Sequence, residues 1–542
     1  MDRVIADPAG SDEPVPLFDA MAMRAVDAWA IGECGVPGLE LMEAAGEGLA
    51  RLAGELTTGI QGPAEIAVVC GAGNNGGDGY VAARLLREQG HAVSVLTTVD
   101  PDGLAGDALT NRRRLPGDAP RPFDEAALAG AGVIVDAILG TGASGAPRED
   151  VAAVIEAING ARRRVAAADL PSGVDAGTGE TPGAAIRAHV TATFAGPKTG
   201  LFIAPGKQHA GEVTVIPLPV PPHAPAIPSA YLLGRRGWCG ALPPRGAGAT
   251  KFTSGQVVVA GGSRGLSGAP CMASLAAIRA GAGYVLAAVP SALIDVVEGR
   301  LLEVMTAVLP GPPDHHAPEN AELVLERLDA HGGALVLGPG LGGSREAQAL
   351  ARELAVAAPV PLVLDADGLN AHAGRLEALA EREHETIMTP HPGELARLLE
   401  TDAESVQRQR LAHAREAARR AHAIVVLKGD DTIVVDPDED GPPAISNGGC
   451  PALATAGTGD VLAGVIGALA ARRDRGVTAR TAATLGVGLH AEAGRVAAAR
   501  FGGPGGVIAT DVIAALPGLL GDDHERRRQA RAVAAPFERG RH

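Results

Sequence analysis

Short apolar, β-branched runs alternate along this chain with stretches in which apolar residues return every three or four positions. In the first part the runs Ile66–Cys70, Ala92–Thr97, Gly132–Ile138, Val165–Asp169 and His189–Phe194 read as strands, with helical patterns such as Val151–Asn159 between them. A long segment of helical period, Asp19 to Leu56, comes before the first strand. The second part repeats the scheme. Its strands are predicted at Gln256–Ala260, Tyr284–Val289, Ala334–Leu337, Pro361–Asp365, Thr386–Thr389, Ile424–Lys428 and Thr432–Asp436. Helices are expected at Gly268–Ala280, Glu346–Ala357, Ser405–Ala421, Val461–Arg472 and Ala479–Ala499. Strands separated by helices, over and over, predict an α/β protein with parallel sheets covered by helices on both faces.

A proline-dense stretch divides the two parts. Between Pro217 and Pro228 the prolines can neither pair within a sheet nor continue a helix, so the segment reads as a semi-rigid linker. The expected organisation is a disordered start at 1–16, a first domain at 17–217, a linker at 218–228, a second domain at 229–520 and a polar tail at 521–542. Within the 542 residues, 47 Lys and Arg face 63 Asp and Glu, a net charge of −16 that argues against a nucleic-acid or anionic-membrane binder. Aromatic residues are only 2%, so Ala, Val and Leu must fill the cores. The five cysteines are scattered without a CxxC pair, which indicates neither a zinc site nor a disulfide framework. The start lacks a basic segment followed by an apolar core, and the longest apolar stretches fall short of a membrane span. A cytoplasmic protein is expected.

The chemistry gathers where predicted strands end. After Ile66–Cys70 comes Ala72-Gly73-Asn74-Asn75-Gly76-Gly77-Asp78-Gly79, a glycine-rich passage leading into a helix whose free N–H groups suit an anion. Two Asn and an Asp add more side-chain oxygen than phosphate binding needs, which suggests a cation or a polar substrate alongside. Two further strands end in Asp136-Ala137-Ile138-Leu139-Gly140-Thr141-Gly142 and Asp169-Leu170-Pro171-Ser172-Gly173-Val174-Asp175. Ligands of open α/β sheets collect outside the carboxyl ends of strands, so topology would bring the three loops together. They offer Asn75, Asp136 and Ser172 as oxygen ligands for a weakly hydrated cation, and Asp169 as an acid/base group. Any one such aspartate is commonly a helix cap; three coincident loops make that a poor account of the set.

In the second part Asn447–Asp460 runs through Gly457-Thr458-Gly459-Asp460 into an apolar helix. A glycine turn at a helix N-terminus can hold charge on a transferring phosphoryl group, and Asp460 is placed to take a proton from an attacking hydroxyl. Four other passages lie at strand ends: Leu337–Gly342 with Gly340, Asp365–Asn370, Thr389–Glu394 with His391, and the turn Lys428-Gly429-Asp430-Asp431-Thr432. A capping aspartate and a solvated lysine are the plainer readings of Asp460 and Lys428 taken alone.

From about Leu17 to Pro217, the loops just quoted together with Gly196-Pro197-Lys198-Thr199-Gly200 resemble the epimerase domain of bifunctional NAD(P)HX repair enzymes. About Gly255 to Ala499 resembles their ribokinase-like dehydratase domain. The resemblance implies a Rossmann-like first domain and a ribokinase-like second one. It implies that Asn74, Asn75, Gly76, Gly77, Asp78, the loop Gly140, Thr141, Gly142, Ala143, Ser144, Gly145, Ala146, and Asp169 bind the hydrated dinucleotide. Asn75, Asp136 and Ser172 would hold potassium; Ala269, Gly340, His391 and Asp460 would meet the hydrated cofactor in the second domain; Lys428–Thr432 and Gly459 would meet the nucleotide. Implied too are ADP in preference to ATP as co-substrate, magnesium, NADHX and NADPHX as substrates, and a homo-oligomer. Two departures from the family pattern are Ala44 where many members have Asn, and Thr458 where serine is usual. Two rivals compete: a vitamin-pathway kinase of ribokinase fold fused to a non-catalytic nucleotide-binding domain, and a scaffold protein with a dead first domain. The complete potassium-type loops of the first part argue against the former, and intact Asp136 and Asp169 against the latter.

Overall fold

The computed structural model describes residues 8–60, 65–234, 248–438, 441–472 and 476–520. The chain forms two compact units, one built on Val15–Leu232 and the other on Leu233 onward together with Asp12–Pro14.

In the first unit, β1 (Val15–Leu17) precedes helices Ala20–Gly32 and Gly38–Glu55. There follow β2 (Glu65–Cys70), β3 (Val93–Thr97), β4 (Arg121–Pro122), β5 (Ala131–Ala137), β6 (Arg164–Ala168), β7 (Val190–Phe194), β8 (Glu212–Ile216) and β9 (Ala230–Leu232). Strands β4-β3-β2-β5-β6-β7-β8 make one sheet in that order. Every pairing in it is parallel. β2 and β7 are buried almost throughout, as expected of strands covered on both faces. The order reverses between β2 and β5, and that is where a doubly wound sheet opens its crevice.

The predicted helix Asp19–Leu56 is two helices. Gly35 takes a left-handed φ of +69°, and Pro37, which lacks an N–H, stands at the start of the second helix. Four strands of this unit, β1, β4, β8 and β9, escaped the sequence pattern. β1 begins at the end of the stretch expected to be disordered and pairs antiparallel with β9. Residues 1–7 and the tail 521–542 lie outside the described residues.

The second unit carries β10 (Gln256–Ala260), β11 (Tyr284–Val289), β12 (Met305–Val308), β13 (Ala334–Leu337), β14 (Leu362–Leu364), β15 (Thr386–Met388), β16 (Ile424–Leu427), β17 (Ile433–Val435) and β18 (Ala444–Ile445). They are ordered β18-β17-β16-β15-β14-β13-β10-β11-β12. Pairing is parallel from β16 to β12, while β17 and β18 are antiparallel additions. Here the order reverses between β10 and β13. The apolar helix Thr458–Ala470 is buried along nearly its whole length against the helix Gly268–Arg279. The predicted helix Ser405–Ala421 breaks at Gln409, whose ψ of +52° is not helical, and restarts with Arg410 turned inward.

Candidate functional site

The first unit gathers its polar strand ends at its reversal point, and the second along the carboxyl ends of its parallel strands β13 to β16. In the first, the helix expected to begin at Tyr80 begins at Asn74, so Asn74 to Gly79 form its opening turns rather than a loop. The glycines serve packing. A Cβ on Gly76 would lie 2.1 Å from the Gly71 carbonyl oxygen, and one on Gly79 would lie 2.7 Å from the Ala137 Cβ. Gly71 in turn meets the Ile138 carbonyl oxygen at 2.0 Å from where its Cβ would be, locking the ends of β2 and β5 side by side.

The expected cation ligands do converge. Asp136 is fully buried and accepts from the Ser172 N–H at 2.8 Å, the Ser172 hydroxyl at 2.6 Å and the Ile138 N–H at 3.3 Å. Ser172 Oγ accepts from the Leu139 N–H at 2.9 Å, and Asn75 Nδ2 donates to the Leu139 carbonyl at 3.0 Å. Leu139 therefore ties all three together. Burial pushes the Asp136 carboxyl up to about 6, with the Ser172 and Ile138 hydrogen bonds opposing. Its recorded partners are all neutral. A buried carboxylate held by neutral donors, beside an amide and a hydroxyl, fits a monovalent cation.

Asp169 sits at the end of β6 with φ +66° and pairs with the buried Lys198 at 2.5 Å. Lys198 also donates to the Phe194 carbonyl at 2.7 Å. Both line a cavity of about 550 Å³ that also takes in Asn74, Asn75, Asp78 and Gly140–Ala143. Asp78 is pushed well up by burial, then by Asp169 and Asp27, against the pull of Lys198. Ser144, Gly145 and Ala146 continue the same loop on the exposed surface. Lys198, Asp27 and Arg24 line the cavity without having been assigned a role from sequence. Lys198 was legible, since it stands in the Gly-Pro-Lys-Thr-Gly passage at a strand's carboxyl end. Asp27 and Arg24 carried no local signal.

In the second unit Gly457, with φ +92°, opens the helix Thr458–Ala470 and puts Gly459 and Asp460 in its first turn. The Thr458 hydroxyl donates back to the Leu453 and Thr455 carbonyls at 2.7 and 2.9 Å, clamping the turn. Lys428 Nζ stands 2.9 Å from Asp365 and 3.7 Å from Glu394, and 3.4 Å from where a Cβ on Gly459 would be. Burial works against the Lys428 charge, but Asp365 and Glu394 outweigh it and its pKa rises. Asp460 is pushed up to about 7, chiefly by burial and then by Asp365, with Lys428 opposing.

His391 caps the helix Pro392–Leu399, its Nδ1 accepting the Gly393 and Glu394 N–H groups at 3.0 and 3.3 Å. Burial lowers its pKa, and Lys428 and Arg397 add to that against Glu394. A neutral ring with Nε2–H results. Gly340 has φ +64°, and its Cβ would lie 3.1 Å from that of Ala269, so these two are neighbours as expected. Of the turn Lys428–Thr432, Gly429 and Asp430 are exposed and the Thr432 hydroxyl closes the turn on the Gly429 carbonyl at 2.8 Å. Asp431 differs. Its carboxylate is buried in an ion pair with Arg410 at 3.0 Å, so it braces the turn rather than facing a ligand.

Two α/β units, each with a buried carboxylate beside a lysine at the ends of its parallel strands, define a two-site α/β enzyme. Residues 257–518 match the family model described as NAD(P)H-hydrate dehydratase, and residues 38–200 that of the YjeF-related protein N-terminus. The bifunctional NAD(P)H-hydrate repair enzyme Nnr of Moorella thermoacetica is 39% identical, over 93% of this chain and 96% of its own. That of Salinibacter ruber is 36% identical, over 95% and 98%. An ADP/ATP-dependent NAD(P)H-hydrate dehydratase from Bacillus subtilis, co-crystallized with ATP and magnesium, aligns with TM-score 0.44 and 27% identity over 52% of this chain and 94% of its own. The chain belongs to the family of bifunctional NAD(P)H-hydrate repair enzymes. Among the described residues no helix is long and apolar enough to cross a membrane.

Proposed function

We propose that the first unit interconverts the R and S epimers of hydrated NADH and NADPH, and that the second returns the S epimer to NAD(P)H at the expense of ADP. The observation that carries this reading is a proton-handling carboxylate beside a lysine in each unit: Asp169 with Lys198, and Asp460 with Lys428 and Asp365.

In the second unit Asp460 takes the proton of the ring hydroxyl as its oxygen attacks the terminal phosphorus of ADP, and AMP departs. The C–O bond of the new phosphate ester then breaks, a proton leaves the neighbouring carbon, and inorganic phosphate and the ring double bond result. The helix start at Gly457–Gly459 and Lys428 face the charge of the transferring group. Magnesium on the nucleotide would share that charge, with Asp365 and Asp367 the carboxylates at hand. ADP is favoured over ATP on the family resemblance.

In the first unit the Asp169–Lys198 pair supplies a base and an acid on one wall of the cavity for reversible chemistry at the hydroxyl-bearing carbon. Asn75, Asp136 and Ser172 would hold potassium, whose charge would neutralise the buried carboxylate. Cytoplasmic action and homo-oligomeric assembly belong to the same reading.

The test is an assay on mixed NADHX epimers. Without nucleotide the full chain should interconvert them; with ADP it should convert both to NADH. Asp460→Asn should abolish the second reaction and spare the first. Loss of both in a folded variant would sink the two-site scheme.

A further inference from the structure

We infer that Arg24 grips a phosphate of the dinucleotide at the mouth of the first unit's cavity, while the nicotinamide end lies toward Asp169 and Lys198. The inference rests on the epimerase reading above and adds a specificity residue to it.

Charge carries the argument. The cavity lining holds Asp27, Asp78, Asp107 and Asp169 against two cations, Arg24 and Lys198; burial favours the neutral form of Asp78 and Asp27, and Asp169 is paired with Lys198. Lys198 is buried and committed to Asp169 at 2.5 Å and to the Phe194 carbonyl at 2.7 Å, so it has little to offer a second anion. A dinucleotide arriving with its diphosphate thus meets one available cation among the lining residues, Arg24. Like charges at such range repel more strongly than they do at an open surface, because the cavity walls screen poorly. With that cation at the mouth, the diphosphate is held there and the uncharged, hydroxyl-bearing ring enters toward Asp169 and Lys198.

Arg24 stands where that anion would lie. It is exposed on the helix Ala20–Gly32, and its guanidinium reaches across to donate to the Thr141 carbonyl at 3.4 Å. That contact sets it over Gly140–Ala143, the loop expected to meet the substrate. One long hydrogen bond leaves the rest of the planar donor fork for a phosphate, which it can engage through two N–H groups at once. The residue stands ahead of the region 38–200 matched by the family model, on a helix whose pattern alone reads only as packing.

Epimer interconversion in the full chain, followed without nucleotide on isolated R-NADHX and R-NADPHX, tests this. Arg24→Ala should raise KM about tenfold or more with kcat nearly unchanged, the scale of one lost charge-assisted hydrogen bond. Arg24→Lys should fall between. The KM of the alanine variant should also respond less to added salt. A rise shared by NADHX and NADPHX places the arginine on the diphosphate; a rise confined to NADPHX places it on the 2′-phosphate. Dehydration of S-NADHX with ADP should be unchanged, which controls for folding. A KM unmoved for both substrates, or a fall in kcat with KM unmoved, would overturn the inference while wild-type interconversion leaves the epimerase reading standing. A wild-type protein that does not interconvert the epimers would overturn both.

Discussion

Asp460 and Asp136 are both carboxyls lifted by burial, yet under the proposed function they should answer to pH differently, one as a base in the chemistry and the other as a carboxylate that takes a counter-charge. Asp460 works as a base only when ionised, and its carboxyl is raised to about 7 by burial and by Asp365. The rate of ADP-dependent dehydration should therefore climb with pH and level off a little above 7. A flat profile between pH 5.5 and 8 would remove Asp460 from that role. Asp136, lifted to about 6, binds its proton more tightly folded than unfolded. Its contribution is thus intact below the unfolded value near 4, declines as pH rises toward 6, and stays constant beyond that. Potassium should restore what is lost, so its gain in Tm over tetramethylammonium should grow from pH 4 to 6 and then hold. Asp136→Asn should abolish that pH-dependent gain, and a potassium effect equal at pH 4.5 and 8 would contradict the assignment.

At the scale of elements, glycines set how closely helices approach the sheets and one another. Gly464, midway along the helix that begins at Thr458, lies where a Cβ would sit 2.1 Å from the Ala273 carbonyl oxygen. Helix propensity favours alanine over glycine by about 1 kcal/mol, but a backbone atom cannot swing aside as a side chain can. Overpacking of this sort typically costs about 1–3 kcal/mol, enough to win. Gly464→Ala should lower the unfolding temperature of the second unit. It should also slow dehydration, because the same helix carries Asp460, and leave epimerisation alone. Parallel thermal unfolding and the two assays decide it; an alanine variant as stable as the parent would show that the helices can part.

For the whole molecule the useful question is where the chain divides. The proline stretch suggested a division within the linker 218–228. The structure instead keeps β9 with β1 in the first unit, ending it at Leu232. A fragment of residues 1–232 should then fold more stably than 1–220, which loses the partner of β1, and should retain epimer interconversion. Equal stability of the two fragments in urea would mean that the β1–β9 pair contributes nothing.

The two α/β units, most strands of both parallel sheets and the loops that carry Asp136, Asp169, Lys428 and Asp460 were all legible in the sequence. Local physics fixes them: β-branched runs, helical periodicity, and glycine at strand ends. Short strands such as β4 and β18, the break at Gly35–Pro37 within a continuous helical period, and the true start of the Asn74 helix were not. At the Gly35–Pro37 break the glycine and the proline interrupted the apolar period locally, and in the other cases neighbours in space outweighed the local pattern. Tertiary structure alone decided that the glycines of Asn74–Gly79 serve close packing against the ends of β2 and β5. It also turned Asp431 inward to Arg410, set Lys198 against Asp169, and brought Arg24 and Asp27 to the cavity from a helix more than a hundred residues away from the Thr141 loop. Sequence spacing records which residues are near in the chain, whereas charge pairing and close packing depend on which are near in space.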